Sequence, residues 1–274
     1  MTVHPSLQNY ADAWTHSVDA IAALVQPLDE PDWNRRTPCP GWSVRDIVSH
    51  VIGMESEMLG DPRPIHTLPR DLYHVTDELS RYMEMQVDVR RHHTSPEMTA
   101  ELEYTIIRRN RQLRNESREP GTMVRAPLGT EQTLERAMQL RAVDVWVHEQ
   151  DLRTALGEPG GLDSPGAYVA RDTLVAALPK VVAKDAGAPA NSAVVFDVHG
   201  PIEFMRTVRV DADGRGTVDG APSLGPAVTL VLDWETYFRL ACGRVRPAAV
   251  ADRVKVDGDQ ELADAILAAF AVTK

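Results

Sequence analysis

Positive charge is in short supply in this chain. It carries 29 Lys and Arg against 40 Asp and Glu, a formal net charge of -11 at neutral pH. A protein with no cationic surplus has little with which to neutralise phosphates, so a nucleic-acid partner is not expected. The one local cluster, Arg108-Arg109-Asn110-Arg111, reads as a solvated helix face. Cysteine is almost missing: Cys39 and Cys242 stand far apart and cannot make a disulfide framework. No apolar run approaches the roughly 20 residues a membrane-spanning helix needs. The first residues, Met1 to Pro5, lack the charged and apolar regions of a secretory leader. Gly157-Glu158-Pro159-Gly160-Gly161 is turn-like but follows no strand, so it is not read as a phosphate loop. No internal repeat is visible. These absences predict a soluble, reduced, cytoplasmic protein, monomer or homodimer, with neither membrane nor nucleic acid as partner.

What is present is ordinary globular composition, 274 residues with 43% hydrophobic and 25% charged, enough to bury a sizeable core. Helical periodicity fills the first 180 or so residues. Tyr10, Trp14, Val18 and Ile21 line one face of a first long helix, and a second starts after Ser43 and stops near Gly60. Leu72, Val75, Leu79, Met83 and Val87 predict a third. Ser95-Pro96 opens a fourth that runs to about Ser117. After a loop containing Pro127 and Gly129, Thr130 or Thr133 caps a long helix ending at Gly157, and Ser164-Pro165 opens one more. Beyond Gly187 the pattern turns to short strands at 193–198, 204–210, 227–232 and 254–256, with a short helix at 234–240 and an amphipathic helix at the end. The expected fold is an N-terminal all-α up-and-down four-helix bundle over residues 1–187, followed by a small α+β domain over 188–274.

The residues with chemistry lie on two of the helices. In Thr37-Pro38-Cys39-Pro40-Gly41-Trp42-Ser43-Val44-Arg45-Asp46-Ile47-Val48-Ser49-His50, the prolines and glycine make a stiff loop. Ser43 is an N-cap answered by Asp46, and His50 falls at the edge of an apolar face. Read alone, His50 is either a packed core histidine or a ligand. The long helix after Thr133 carries Arg141, Asp144, His148 and Asp151 at separations of three, four and three, so all four project from one side. Asp144 and His148 are one turn apart and can converge on one ion. The stripe borders apolar residues, and buried charge must be paired or ligated. His50, Asp144 and His148 together make a three-ligand set with an open position, which suits catalysis. Zinc fits these ligand types best, and manganese, iron and nickel are compatible. Cys39 reads as loop packing, His92-His93 as surface, and Trp42 and Trp146 as walls of the cleft.

The 37–50 run closely resembles the metal-binding N-terminal domain of mycothiol-dependent maleylpyruvate isomerases, which belong to the DinB-like four-helix-bundle superfamily. Arg141-Ala142-Val143-Asp144-Val145-Trp146-Val147-His148-Glu149-Gln150-Asp151 looks like the family's second ligand motif. Leu240-Ala241-Cys242-Gly243-Arg244 and Gly258-Asp259 resemble its sterol-carrier-like C-terminal domain. The resemblance puts His50, Asp144 and His148 at the metal-ligand positions, with Asp144 where the family carries Glu. It implies a basic residue from the second domain at the site, matched best by Arg244 and otherwise by Arg239.

The implied activity is that of a metal-dependent enzyme using mycothiol as thiol cosubstrate on a small electrophile, either as isomerase or as thiol S-transferase. Arg244 would bind a substrate carboxylate. The competing expectations are a non-catalytic protein binding an apolar ligand beside a vestigial metal site, and a metal-free scaffold in which His50 and Asp144 simply bond to each other.

Overall fold

A computed structural model describes residues 3–273, and the chain divides into two compact units, Met1–Val169 and Ala170–Lys274. Helices dominate the first: α1 (Gln8–Val25), α2 (Val44–Met58), α3 (Glu78–Asp88), α4 (Ser95–Arg114) and α5 (Leu134–Leu156). α1 packs along α5 and α4, and α2 packs against α3, α4 and α5. Apolar residues recurring at helical spacing, such as Trp14, Val18 and Ile21 on α1 and Ile47, Val51 and Met54 on α2, are buried where these helices meet.

Two details differ from the sequence expectation. The third helix begins only at Glu78, because Asp77 caps it by accepting from Ser80 N at 2.7 Å; Leu72 and Val75 stay in an irregular segment. The stretch before α5 is not a plain loop, so the first unit is not purely helical. β1 (Met123–Arg125) pairs antiparallel with β2 (Glu131–Thr133) around the turn holding Pro127 and Gly129.

The helix α6 (Pro165–Pro179) spans the division between units. The division thus falls before residue 187, because the end of α6 itself packs on the sheet: a Cβ on Gly216 would lie 2.6 Å from the Pro179 carbonyl oxygen. The second unit holds β3 (Ala193–His199), β4 (Phe204–Val210), β5 (Gly216–Asp219), β6 (Val228–Asp233), α7 (Trp234–Ala241), β7 (Val254–Gly258) and α8 (Gln260–Ala268). The sheet order is β5-β4-β3-β6-β7, with β3 and β6 parallel and the other pairs antiparallel. Its core is aromatic: Phe196 stacks on Phe270 at 5.8 Å, and Tyr237 meets Phe270 edge-on at 5.2 Å. A helical first unit followed by a sheet-containing α+β unit is the fold. Among the described residues no helix is long and apolar enough to cross a membrane.

Candidate metal centre

The loop ahead of α2 is built to aim it. Thr37 N and Oγ1 both donate to the Trp42 carbonyl, at 3.1 and 2.9 Å, closing the Pro-Cys-Pro-Gly turn. Gly41 has φ +80°, and a Cβ there would sit 2.3 Å from His74 Nδ1, so this position needs glycine twice over. Ser43 and Asp46 form the expected capping box: Asp46 N donates to Ser43 Oγ at 3.3 Å, and Ser43 N donates to Asp46 Oδ2 at 2.9 Å. Of the two possible caps for α5 it is Thr133 that accepts from Arg136 N, and Gly157 closes the helix in the left-handed conformation.

These two helices bring His50, Asp144 and His148 together. One potential ligand atom from each lies within 4.8 Å of the others. His50 Nε2 is 3.2 Å from Asp144 Oδ2, His148 Nε2 is 3.7 Å from Asp144 Oδ1, and the imidazole centroids are 4.8 Å apart. Asp144 is a methylene shorter than glutamate, yet its two oxygens reach both rings. His50 and His148 are 2% and 5% exposed, whereas the Asp144 side chain is 33% exposed, so the cluster opens to solvent on the aspartate side. Trp42 walls it, with its ring 4.9 Å from His50 and 5.9 Å from His148. Trp146 does not: it is turned elsewhere on α5, where its Nε1 donates to the Gly161 carbonyl.

Around the three groups is a shell of charge that holds each in place. Asp151 Oδ2 lies 3.1 Å from His148 Nδ1, which keeps the proton on Nδ1 and leaves Nε2 as a lone-pair donor. Arg141 Nη1 donates to Asp144 Oδ2 at 2.8 Å, while its Nε and Nη2 donate to Glu55 Oε1 at 2.9 and 2.7 Å. The other Glu55 oxygen accepts from Arg109 Nε at 2.9 Å. Trp42 Nε1 and His74 Nε2 both contact Glu84 Oε2 at 2.9 Å, and Arg91 pairs with the second Glu84 oxygen. Glu55, Arg109 and Glu84 escape sequence reasoning, and Arg109, expected on a solvated face, is buried. The only hint is a charged residue standing in phase with an apolar stripe.

Protonation follows from these surroundings. Burial lowers the pKa of His50 and outweighs the opposing pull of Asp144, so the imidazole is neutral at neutral pH. Burial pushes Asp144 up, but Arg141 first and then the two histidines outweigh it and hold the carboxyl well below its usual range. Glu55 behaves alike, with burial overcome by Arg141 and Arg109. Two imidazoles and one carboxylate are the donor set a borderline divalent cation takes. The other His50 nitrogen, Nδ1, is buried without a hydrogen-bond partner, which is costly in a finished protein interior. The residues fit a metal.

Of the remaining expected residues, Arg244 belongs to the second unit. It stands just after α7, with Nη1 donating to the Cys242 carbonyl at 2.9 Å. Arg239 pairs with Glu235 at 2.8 Å. Cys39 lies half-buried in the turn, its N donating to Thr37 Oγ1 at 3.2 Å, and it forms no disulfide with Cys242.

Residues 14–153 match the family model described as the mycothiol maleylpyruvate isomerase N-terminal domain, and residues 168–265 match the C-terminal domain of the same enzymes. No curated protein matches. Among solved structures, the crystal structure of the mycothiol-dependent maleylpyruvate isomerase aligns at 15% identity with a TM-score of 0.59, covering 94% of this chain and 96% of that one. A histidine-to-alanine mutant of that isomerase aligns at 15% identity over the same shares, with a TM-score of 0.58. Sterol Carrier Protein 2 Like 2 from Aedes aegypti aligns at 16% identity with a TM-score of 0.30, over 37% of this chain and 96% of that one. With both domain models matched along most of its length, the chain belongs to the mycothiol-dependent maleylpyruvate isomerase family, a family of enzymes.

Proposed function

We propose that this chain is a metal-dependent enzyme that uses mycothiol to isomerise a small electrophilic substrate, with zinc held by His50, Asp144 and His148. The observation that carries the reading is the convergence of these three side chains from α2 and α5 within 4.8 Å. A bound zinc would stabilise the thiolate of the cosubstrate at neutral pH, the nucleophilic form of a thiol.

The chain's own residues supply the setting. Asp151 fixes the His148 tautomer, Arg141 orients the Asp144 carboxylate, and the Trp42 ring shields both imidazoles from water. The covalent work belongs to the thiol. Its sulfur adds to an electron-poor double bond, the resulting single bond rotates, and elimination returns the thiol with the double bond in the other geometry. Thiol S-transfer to an electrophile shares the first half of this sequence and is the finer alternative within the same site. Arg244 is assigned to a substrate carboxylate as a bidentate donor. Both the thiol and the substrate are small molecules, and we place the reaction in the cytoplasm.

The test is elemental analysis of purified protein together with mycothiol turnover. We expect one zinc per chain, loss of that zinc in His50→Ala, and mycothiol-dependent isomerisation abolished with it. Stoichiometric metal with no product from any electrophile would leave the chain a ligand-binding protein. No metal, with His50→Ala unchanged in stability, would leave it a scaffold.

A further inference from the structure

Towards the C-terminal end of α2 and the N-terminal end of α5 lies a cavity of about 760 Å³ that contains none of the three metal-ligand residues. Its size is that of a site for a small organic molecule. The floor is apolar and soft: Met54, Met58, Leu113, Leu134 and Met138 come from three helices, and Met123 reaches in from β1. Methionine adapts its shape to an apolar guest better than branched side chains do.

The charged groups of this cavity are four arginines, Arg63, Arg109, Arg118 and Arg125, against the three acids Glu57, Asp61 and Glu116. Arg109 lines it while only 4% exposed. Its Nε is committed to Glu55 and its Nη1 to Gln112, but Nη2 carries no hydrogen bond among the described residues. Arg125, exposed at the end of β1, has no carboxylate partner among the described residues, although it lines the same space. The acids that line the cavity are already engaged, save one oxygen of Glu57. Asp61 is held at 2.7 Å through both oxygens by Arg108, Glu116 is held at 2.8 and 2.6 Å by Arg118, and Glu57 accepts from Tyr82. In the same wall Arg63 Nε and Glu57 Oε2 are buried 3.8 Å apart with no hydrogen bond to either atom. A finished protein interior rarely leaves such atoms unsatisfied.

We propose that this cavity is a second ligand site, for an amphipathic carboxylate. The alkyl or aryl body would lie on the methionine floor and the carboxylate would meet the unfilled guanidinium capacity of Arg109 and Arg125. The site is read from its own lining, without reference to the metal centre, so it stands or falls separately from the proposed reaction.

Methionine-methyl NMR on the full chain as purified tests it, with 4-phenylbutyrate as the probe and 4-phenylbutanol as its uncharged counterpart. The chain has nine methionines, and four of them, Met54, Met58, Met123 and Met138, line the cavity. We expect 4-phenylbutyrate to shift these four methyl signals saturably, leaving Met98 and Met205 in place. The alcohol should bind at least tenfold more weakly. Arg125→Gln, at an exposed position, should weaken the carboxylate about tenfold without moving the thermal midpoint. Four outcomes overturn the proposal: no saturable shift at millimolar probe, shifts confined to Met205 in the second unit, equal binding of the alcohol, or an Arg125→Gln affinity equal to the parent's.

Discussion

The two units spend their interiors differently. Among the described residues the first unit buries Arg45, His50, Glu55, Glu84, Arg109, Arg141, His148 and Asp151, whereas the second buries no charged side chain and its buried polar groups are those of uncharged residues such as Thr207, Thr236 and Tyr237. The second unit is held by apolar packing around Phe196, Trp234, Tyr237 and Phe270, and such packing favours rigidity over chemistry. Buried charge in the first unit is tolerable only because each group has its counter-ion, and that mutual dependence holds His50, Asp144 and His148 in fixed positions. The lesson is that the site is recognisable by what it costs. A core that buries so many ionic groups is organised for something other than stability.

That contrast can be broken experimentally. Glu55→Ala strands Arg109 without a counter-ion and leaves Arg141 with Asp144 alone, and should destabilise the first unit by about 3–5 kcal/mol. Thr207→Val in the second unit removes one hydrogen bond to the Ala221 carbonyl, and should cost about 1 kcal/mol. Hydrogen exchange followed unit by unit measures both, and equal losses would remove the distinction.

Metal removal comes next. If metal is present at about 1,000 times its dissociation constant, stripping it with a chelator should lower the first unit's stability by about 4 kcal/mol. The second unit's exchange rates should not change, and His50→Ala should make the first unit indifferent to the chelator.

Acid should separate the units as well. His50, Asp144 and Glu55 all have pKa values lowered in the folded protein. Each therefore contributes stability that is present above its unfolded pKa and is lost as pH falls through the folded value. For His50 the loss begins below about pH 6.5, and for the two carboxylates below about pH 4. Exchange measured from pH 8 to pH 3 should show the first unit weakening from about pH 6.5 downwards, ahead of the second. Simultaneous weakening would count against the contrast.

The smallest effect is expected at Trp42→Phe. The ring stays against the imidazoles while the Nε1 bond to Glu84 goes, which should cost about 0.5–1.5 kcal/mol. Zinc content should stay at one per chain.

Local sequence decided a good deal. The cap at Ser43, the glycine stop at Gly157 and the spacing of Asp144, His148 and Asp151 depend on neighbours within a turn or two, so they are legible without a partner. The same holds for the change from helical to strand periodicity beyond Gly187 and for the final amphipathic helix. Local signals failed where the deciding partner was distant. The third helix waits for Asp77 because a cap outcompetes apolar spacing, and β1 and β2 exist only because each supplies the other's hydrogen bonds.

At the site the division is equally clear. Sequence by itself determined which side of α5 carries Arg141, Asp144, His148 and Asp151, since 3.6 residues per turn leaves no freedom in the matter. Only the tertiary structure decided that His50 faces that stripe from α2, that Arg109 leaves the solvated face expected of it to pair with Glu55, and that Trp42 rather than Trp146 walls the cluster. Those outcomes depend on how helices distant in sequence are rotated against one another, and that rotation is set by the packing of whole apolar faces, which no single helix's periodicity specifies.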